Sequence, residues 1–531
     1  MGPFTKNNKV DDIEALSAEK KSTNENDSGE FVADDGAVPA ENFVIGDSFY
    51  ARAQRLAGKF GVEQRGIERV PSDERTDAGM SQIGTLILVR SNSQLTGWQW
   101  LSANMVVSSF AIGALAYPVF FLGFIDTILI IFFVNILGIV PVCFFSTFGP
   151  RFGLRQMVLS RFYFGWYGVK ITCIGWSSVN VIVGAQLFNA VNGNMPGWAG
   201  ILVIAVSTFL ITLFGYKIVH TYERYSWIPC FIIFLIVLGE FAHSGHFQNI
   251  PMGVGKSEAG AALSFAASVY GFATGWTSYA ADYTVYQPVG RSRKSIFLWT
   301  FAGLSFPLLF TQMLGAAVAT AMSIDGGENP YMEGYHSSGI GGLLAAVMVP
   351  PLGKFGQFCL VILALSIIAN NCPNIYSVSL SLQLLARASQ RVPRFLWTFV
   401  GTCVYVAIAI PGYDHFESIL ENFMLVIGYW LAIYEGISIS EHVFFKRGFG
   451  GYDPAIYMEP SKLPPGIAAI AAFCFGAMGA ILGMAQVWFT GPIGKLCGAE
   501  FGGDIGFELA FSFSAISYCI MRTVEKRIFG R

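Results

Sequence analysis

The 531-residue chain reads as an all-α polytopic membrane protein with twelve transmembrane helices. Three observations predict this class. Charged residues make up only 13% of the chain, against about 25% in soluble domains. Mean hydropathy is +0.52. Apolar runs of about 20 residues, the length that crosses some 30 Å of hydrocarbon, recur along most of the sequence. Helices are the only open-chain way through lipid, which offers backbone amides no partner.

Residues 1–96 precede the first such run and form a polar tail. It holds 11 of the 33 Lys and Arg and nearly half of the 35 acids. No secretory signal opens it, so the first apolar run is expected to act as an uncleaved anchor that leaves the tail in the cytosol. Residues 1–40 have the composition of a disordered segment. Residues 42–70 mix Phe43, Phe49, Tyr50, Leu56, Phe60 and Ile67 with several Arg. They fit either an amphipathic helix on the membrane surface or an ordered cap beneath the bundle.

The spans are expected at 103–123, 127–148, 164–190, 198–216, 225–242, 261–284, 296–321, 355–384, 395–411, 418–440, 465–488 and 504–520. They are numbered 1 to 12 below. Positive charge fixes their direction. With the tail inside, the inner connections and C-terminal residues carry 18 Lys and Arg and the outer connections 3, Lys256, Lys354 and Lys495. Both termini are therefore expected in the cytoplasm, the second tail being residues 522–531. A net charge of −2 gives no basis for a nucleic-acid partner. Most of the nine cysteines lie in apolar stretches, without metal-ligand spacing, and read as small buried hydrophobes.

Helix breakers cluster at mid-depth in three spans. Span 1 reads from Ser108 through Gly113 to Pro118, span 6 has Gly271 and Gly275, and span 8 has Asn370-Asn371-Cys372-Pro373-Asn374. A single Gly usually marks close helix packing. Spans 1 and 6, however, lie five apart, and interrupted helices at matching positions of two halves point to a secondary transporter built from inverted repeats. The repeats would cover about 97–243 and 260–440. Helices 11 and 12, within 441–521, would be peripheral.

Span 3 carries Trp176 and Asn180 one turn apart, with Gln186 further along, and Asn370 and Asn374 share that spacing in span 8. Such carboxamides commonly glue membrane helices together. Trp276, beside Gly275, adds a second mid-span indole. Two indoles and several amides suit an uncharged planar heteroaromatic ligand: base stacking contributes roughly 1–3 kcal/mol, and an amide offers a donor and an acceptor to one ring edge. No catalytic motif is present, so a membrane enzyme ranks last. A channel is disfavoured for want of a repeated filter.

These residues resemble the fungal purine–cytosine permeases of the nucleobase–cation–symport-1 family. The resemblance runs from about residue 62 onward. It rests on Arg65-Gly66-Ile67-Glu68-Arg69-Val70-Pro71, Trp98-Gln99-Trp100-Leu101-Ser102, Gly175-Trp176, the run from Gly275 to Tyr283, and Asn370 to Asn374. It implies a LeuT-like five-plus-five fold, alternating access, a plasma-membrane location, and import of cytosine and purine bases. By position it implies Trp176 and Trp276 as the aromatic sandwich, Asn180 and Asn374 as the facing amides, Gly275, Asn370 and Pro373 as shapers of the site, and Ser102 as an influence from span 1. Sodium-coupled relatives place hydroxyl residues where Ala369 and Ile368 stand here; Ser366 is close but not equivalent. The departure favours proton coupling, with no cofactor and no metal.

Lys170 lies six residues before Trp176 and Asp282 six after Trp276, which places both about 9 Å to the cytoplasmic side of the site. Ionisable groups within spans tend to be functional, so this pair is the first candidate for proton coupling, a static ion pair being the plain alternative. Glu240 and Glu435 follow; nearer helix ends, they fit simple snorkelling. Competing readings are a carrier of another heteroaromatic such as pyridoxine, and a transporter-like nutrient sensor. The tails are the expected points of contact for trafficking and turnover machinery; the sequence does not assign Lys20 and Lys21 as turnover signals.

Overall fold

A computed structural model describes residues 49–63, 65–75, 100–169, 197–384, 387–390, 392–412 and 416–531. These belong to one unit, Asp34–Arg531. Expectations for residues 1–40 and for most of span 3, with Lys170, Trp176, Asn180 and Gln186, lie outside the described residues.

The described chain is mainly helical. Its principal helices are α1 (Phe49–Lys59), α2 (Val107–Ala114), α3 (Phe124–Ser146), α4 (Gly197–Phe214), α5 (Tyr216–Ser244), α6 (Gly255–Thr274), α7 (Arg293–Ala319), α8 (Pro330–Leu352), α9 (Lys354–Leu384), α10 (Arg394–Gly412), α11 (Phe416–Ser440), α12 (Ile467–Gly483) and α13 (Gly506–Phe529). Among the described residues, seven helices are long and apolar enough to cross a membrane, and Ile467–Gly483 is a shorter apolar one. α3 shows why such segments sit in lipid. Thr127, Ile131, Asn135, Gly138 and Val142 are buried, while Ile125, Leu129, Phe132, Phe133 and Leu137 are exposed, so apolar side chains cover both faces.

Helices α2, α3, α6 and α7 pack into one group and α4, α5, α9 and α10 into another. α11 bridges α6 to the α12–α13 pair. Small residues set the closest approaches. A Cβ at Gly113 would overlap the carbonyl of Gln312 on α7, and one at Gly315 would overlap that of Phe110 on α2. Asn135 of α3 donates to Gln312 of α7 at 2.7 Å, an amide pair with no water to compete for it.

Three expectations are corrected. Span 1 does break, but at Met105–Val106, where Val106 is extended, and not at Gly113, which sits inside α2 as a packing glycine. Span 8 is not interrupted: α9 runs unbroken through Pro373. The connection between spans 7 and 8 contains an unanticipated helix, α8, bent back on itself at Ser338 and Gly339 with Gly334 against Gly342.

The tail also contributes. α1 is largely exposed, with Leu56 on it and Phe60 just past its end uncovered by the rest of the described chain. Residues 62–75 instead pack as a cap, with Val62, Arg65, Ile67, Arg69, Val70 and Arg75 buried. Arg69 donates to the carbonyl of Phe152 at 2.9 Å, Arg75 to that of Pro150 at 3.0 Å, and the Val70 N–H to Gly153 at 2.8 Å.

Candidate substrate site at the two helix breaks

A break in a buried helix frees backbone groups that must find other partners. At the first break, a helical turn at residues 100–104 stops before the extended Val106. The Asn104 amide donates to the carbonyl of Trp100 at 2.8 Å, and Asn370 of α9 donates to that of Ala103 at 2.7 Å. The N–H of Val107 finds the Ser366 hydroxyl at 3.3 Å. Ser366 is thus engaged in closing the break. Ser102 pairs with Ser226 of α5.

At the second break α6 ends at Thr274, and a 3-10 segment follows from Thr277 to Tyr283. Gly275 has ordinary helical angles (φ −48°, ψ −30°), so it is not needed there for conformational freedom; the bend comes at Tyr279 (φ −144°, ψ 20°). Trp276 is fully buried and donates its indole N–H to Asn104 at 3.1 Å. Its ring meets Trp100 edge-on at 5.4 Å and Tyr279 at 5.8 Å. Tyr279 donates to the Asn374 side-chain carbonyl, while the Asn374 amide donates to the Asn370 backbone at 3.0 Å. Tyr283 donates to the carbonyl of Pro373 at 2.7 Å and packs on Trp100.

The structure therefore gathers Gly275, Trp276, Asn370, Pro373 and Asn374 at one junction, with Ser102 one turn before the first break. Sequence reasoning missed Trp100, Asn104, Tyr279 and Tyr283. Their available signal was Trp100 and Asn104, four apart at the mouth of span 1. It also passed over Asn371, which is fully buried with neither amide atom hydrogen-bonded among the described residues.

Of the ionisable candidates, Asp282 is buried and accepts the N–H of Gln156 at 2.7 Å, while Arg155 donates to its backbone carbonyl at 2.8 Å. Its partners come from the connection after span 2; Lys170 lies outside the described residues. Glu240 is half-buried on the later turns of α5. Glu435 corrects the sequence reading. It is 2% exposed and accepts hydrogen bonds from Tyr270, Thr274 and Thr277, so it does not snorkel.

The arginine-rich end of the bundle is closed over Asp282 by an ionic cluster. Arg155 donates to Tyr376 at 2.8 Å and meets Glu63 of the tail at 3.4 Å. Tyr286 and Tyr376 donate to the same Glu63 oxygen at 3.0 and 3.1 Å, and Arg394 lies 3.8 Å from its other oxygen. No group of His, Cys, Asp and Glu suited to a metal ion occurs among the described residues. What the junction presents is uncharged: indole and phenol rings with side-chain amides.

Broken helices meeting between two packed helical groups define a membrane transport protein. Mhp1, a nucleobase-cation-symport-1 family transporter solved in a closed conformation with bromovinylhydantoin bound, shares the fold at a TM-score of 0.62 and 13% identity, covering 82% of this chain and 93% of that one. The chain belongs to the family of permeases for cytosine/purines, uracil, thiamine and allantoin, matched over residues 96–498. It is 59% identical to the purine-cytosine permease fcyB of Emericella nidulans over 504 residues, 94% of this chain and 95% of that protein. It is 31% identical to the vitamin B6 transporter TPN1 of Saccharomyces cerevisiae, over 89% of each.

Proposed function

We propose that this permease is a proton-coupled symporter that imports purine bases and cytosine across the plasma membrane by alternating access, with both tails cytoplasmic. The observation that carries the reading is the junction of Trp276 and Asn374: a buried indole and an amide, joined by Tyr279, at a break where spans 1, 6 and 8 meet. The base stacks on Trp276, with Trp176 as the second plate. It takes the Asn374 amide in exchange for the Tyr279 hydroxyl, and Asn180 faces it from span 3. Asn370, Pro373, Gly275 and Ser102 hold the two breaks in register. Similarity to purine-cytosine permeases supports the substrate class.

The test is uptake of radiolabelled cytosine in a strain lacking its own carriers, with adenine, uracil and pyridoxine as competitors. Trp276→Ala removes a stacking face and should weaken apparent affinity about 5- to 150-fold, the equivalent of roughly 1–3 kcal/mol. Uptake should fall as external pH rises and collapse with a protonophore. Competition by adenine but not pyridoxine supports the purine reading. The likeness to a vitamin B6 transporter favours one second reading, a pyridoxine carrier, which the reverse pattern would establish.

A further inference from the structure

We infer that Glu435 is the residue that binds the transported proton, and that the break in span 6 controls its hold on it. This rests on the proton-symport reading above. Three observations lead there.

The first is position. α11 approaches α6 where Gly271 faces Met424 and Gly428; a Cβ at Gly271 would overlap the Met424 carbonyl. Seven residues on from Gly428, about 10 Å along the helix axis, Glu435 comes level with the end of α6. The second is the set of donors. Tyr270 donates to Oε2 at 2.7 Å, while Thr274 and Thr277 donate to Oε1, Thr277 at 3.1 Å. Tyr270 and Thr274 lie in the last turns of α6 and Thr277 opens the 3-10 segment, two residues before the bend at Tyr279, so this carboxyl spans the change of helix type. The third is what the cage lacks: Glu435 forms no ion pair among the described residues.

A buried carboxylate with only neutral partners is costly, and one that carries a proton is not. Hydroxyls suit both forms, because each donates to a carboxylate or accepts from a carboxylic acid after rotating. With the proton on Oε1, its O–H donates to Thr274, whose own hydrogen turns away; on release the three O–H groups point back. No bond other than O–H is made or broken, and one proton enters and leaves per cycle. Because Trp276 adjoins Thr277, a base settling on the indole moves Thr277 relative to Thr274. That changes how many hydroxyls reach the carboxyl, which links occupancy to protonation.

The surrounding groups leave this assignment to Glu435. From α6 the facing titratable group is Tyr270. From the 3-10 segment, Asp282 is bound to the N–H of Gln156. From the short helix Arg161–Gly168, Arg161 turns to the carbonyl of Tyr457 at 2.9 Å. α12 has no charged residue.

The experiment uses the full chain in proteoliposomes with an internal pH dye and radiolabelled cytosine. In the wild type, cytosine added outside should acidify the lumen. Glu435→Gln should abolish that acidification and concentrative uptake while cytosine–cytosine exchange stays within about threefold, and Glu435→Asp should restore part of the proton flux. Cytosine-driven acidification at the wild-type level in Glu435→Gln overturns the inference and leaves the symport reading intact. Transport without acidification in the wild type removes both. If Glu435→Gln does not fold, Thr277→Val takes away one donor across the break. It should displace the pH profile of uptake by about 0.4–1 pH unit, the worth of one hydrogen bond. An unmoved profile counts against the assignment.

Discussion

Glu63→Gln tests whether the tail holds the arginine-rich end shut. In the structure one Glu63 oxygen takes hydrogen bonds from Tyr286 and Tyr376 at 3.0 and 3.1 Å and meets Arg155 at 3.4 Å; the other lies 3.8 Å from Arg394. An amide carbonyl can keep both tyrosine hydrogen bonds, so the substitution removes charge and little else. A hydrogen bond to a charged group contributes about 1.5–3 kcal/mol and a neutral one about 0.5–1.5. The loss at Arg155 is then about 1 kcal/mol. Arg394, beyond hydrogen-bond reach and already bound to the carbonyls of Thr212 and Leu213, adds less than about 1 kcal/mol. A weakening of about 1–2 kcal/mol raises the open population roughly 5- to 30-fold. Cys372 reports it, being fully buried on α9 one turn from Tyr376. Its alkylation by a small maleimide, followed site by site with mass spectrometry, should accelerate by that factor. Cytosine uptake should change less than the alkylation rate. An alkylation rate within twofold of wild type, in folded protein, would refute the idea that this charge holds the end closed.

Two further predictions concern packing and polarity inside the bundle. Gly271→Val puts a branched side chain where even a Cβ overlaps the Met424 carbonyl; it should cost about 1–3 kcal/mol. It should also lower the thermal midpoint of the detergent-solubilised protein and abolish cytosine uptake; an unchanged midpoint would mean α6 and α11 are not held at this distance. Asn371→Leu replaces a buried amide that pairs with nothing described, so stability should rise by up to about 1–3 kcal/mol. Uptake should fall if the amide is kept for transport; a more stable and fully active variant would show that it has no such role.

Much of this architecture is written in the chain because lipid is a simple solvent. A run such as Phe124–Ser146 has one way to satisfy its backbone, and its length and apolarity reveal it without reference to any neighbour. The breaks are less legible for the same reason. Glycine in a membrane helix marks either a break or a close contact, and local sequence does not distinguish them. Gly113 and Gly271 are contacts, whereas the true break at Met105–Val106 contains no glycine. That break depends on Ser366 and Asn370, more than 250 residues away, which supply its missing partners. Pro373 misled in the opposite sense: it removes a single N–H, and α9 continues through it. Glu435 looked like a residue near a helix end because its distance along α11 was visible and the three hydroxyls around it, from α6 and beyond, were not.

The same amides that the sequence offers to a ligand also hold the broken backbone together. Asn370 caps Ala103, Asn104 caps Trp100 while receiving the Trp276 indole, and Asn374 is held between Asn370 and Tyr279. In the proposed binding mode a base that takes the Asn374 carbonyl competes with the Tyr279 hydroxyl, and Tyr279 is the residue at which the 3-10 segment bends. Ligand recognition and the shape of the break would then share one acceptor. A site of rigid, independently satisfied groups could bind a base equally well but would have no means of reporting it. Tyr279 lies two residues from Thr277, whose hydroxyl donates to Glu435. In the proposed coupling the route from ring to proton would be this short stretch of 3-10 backbone.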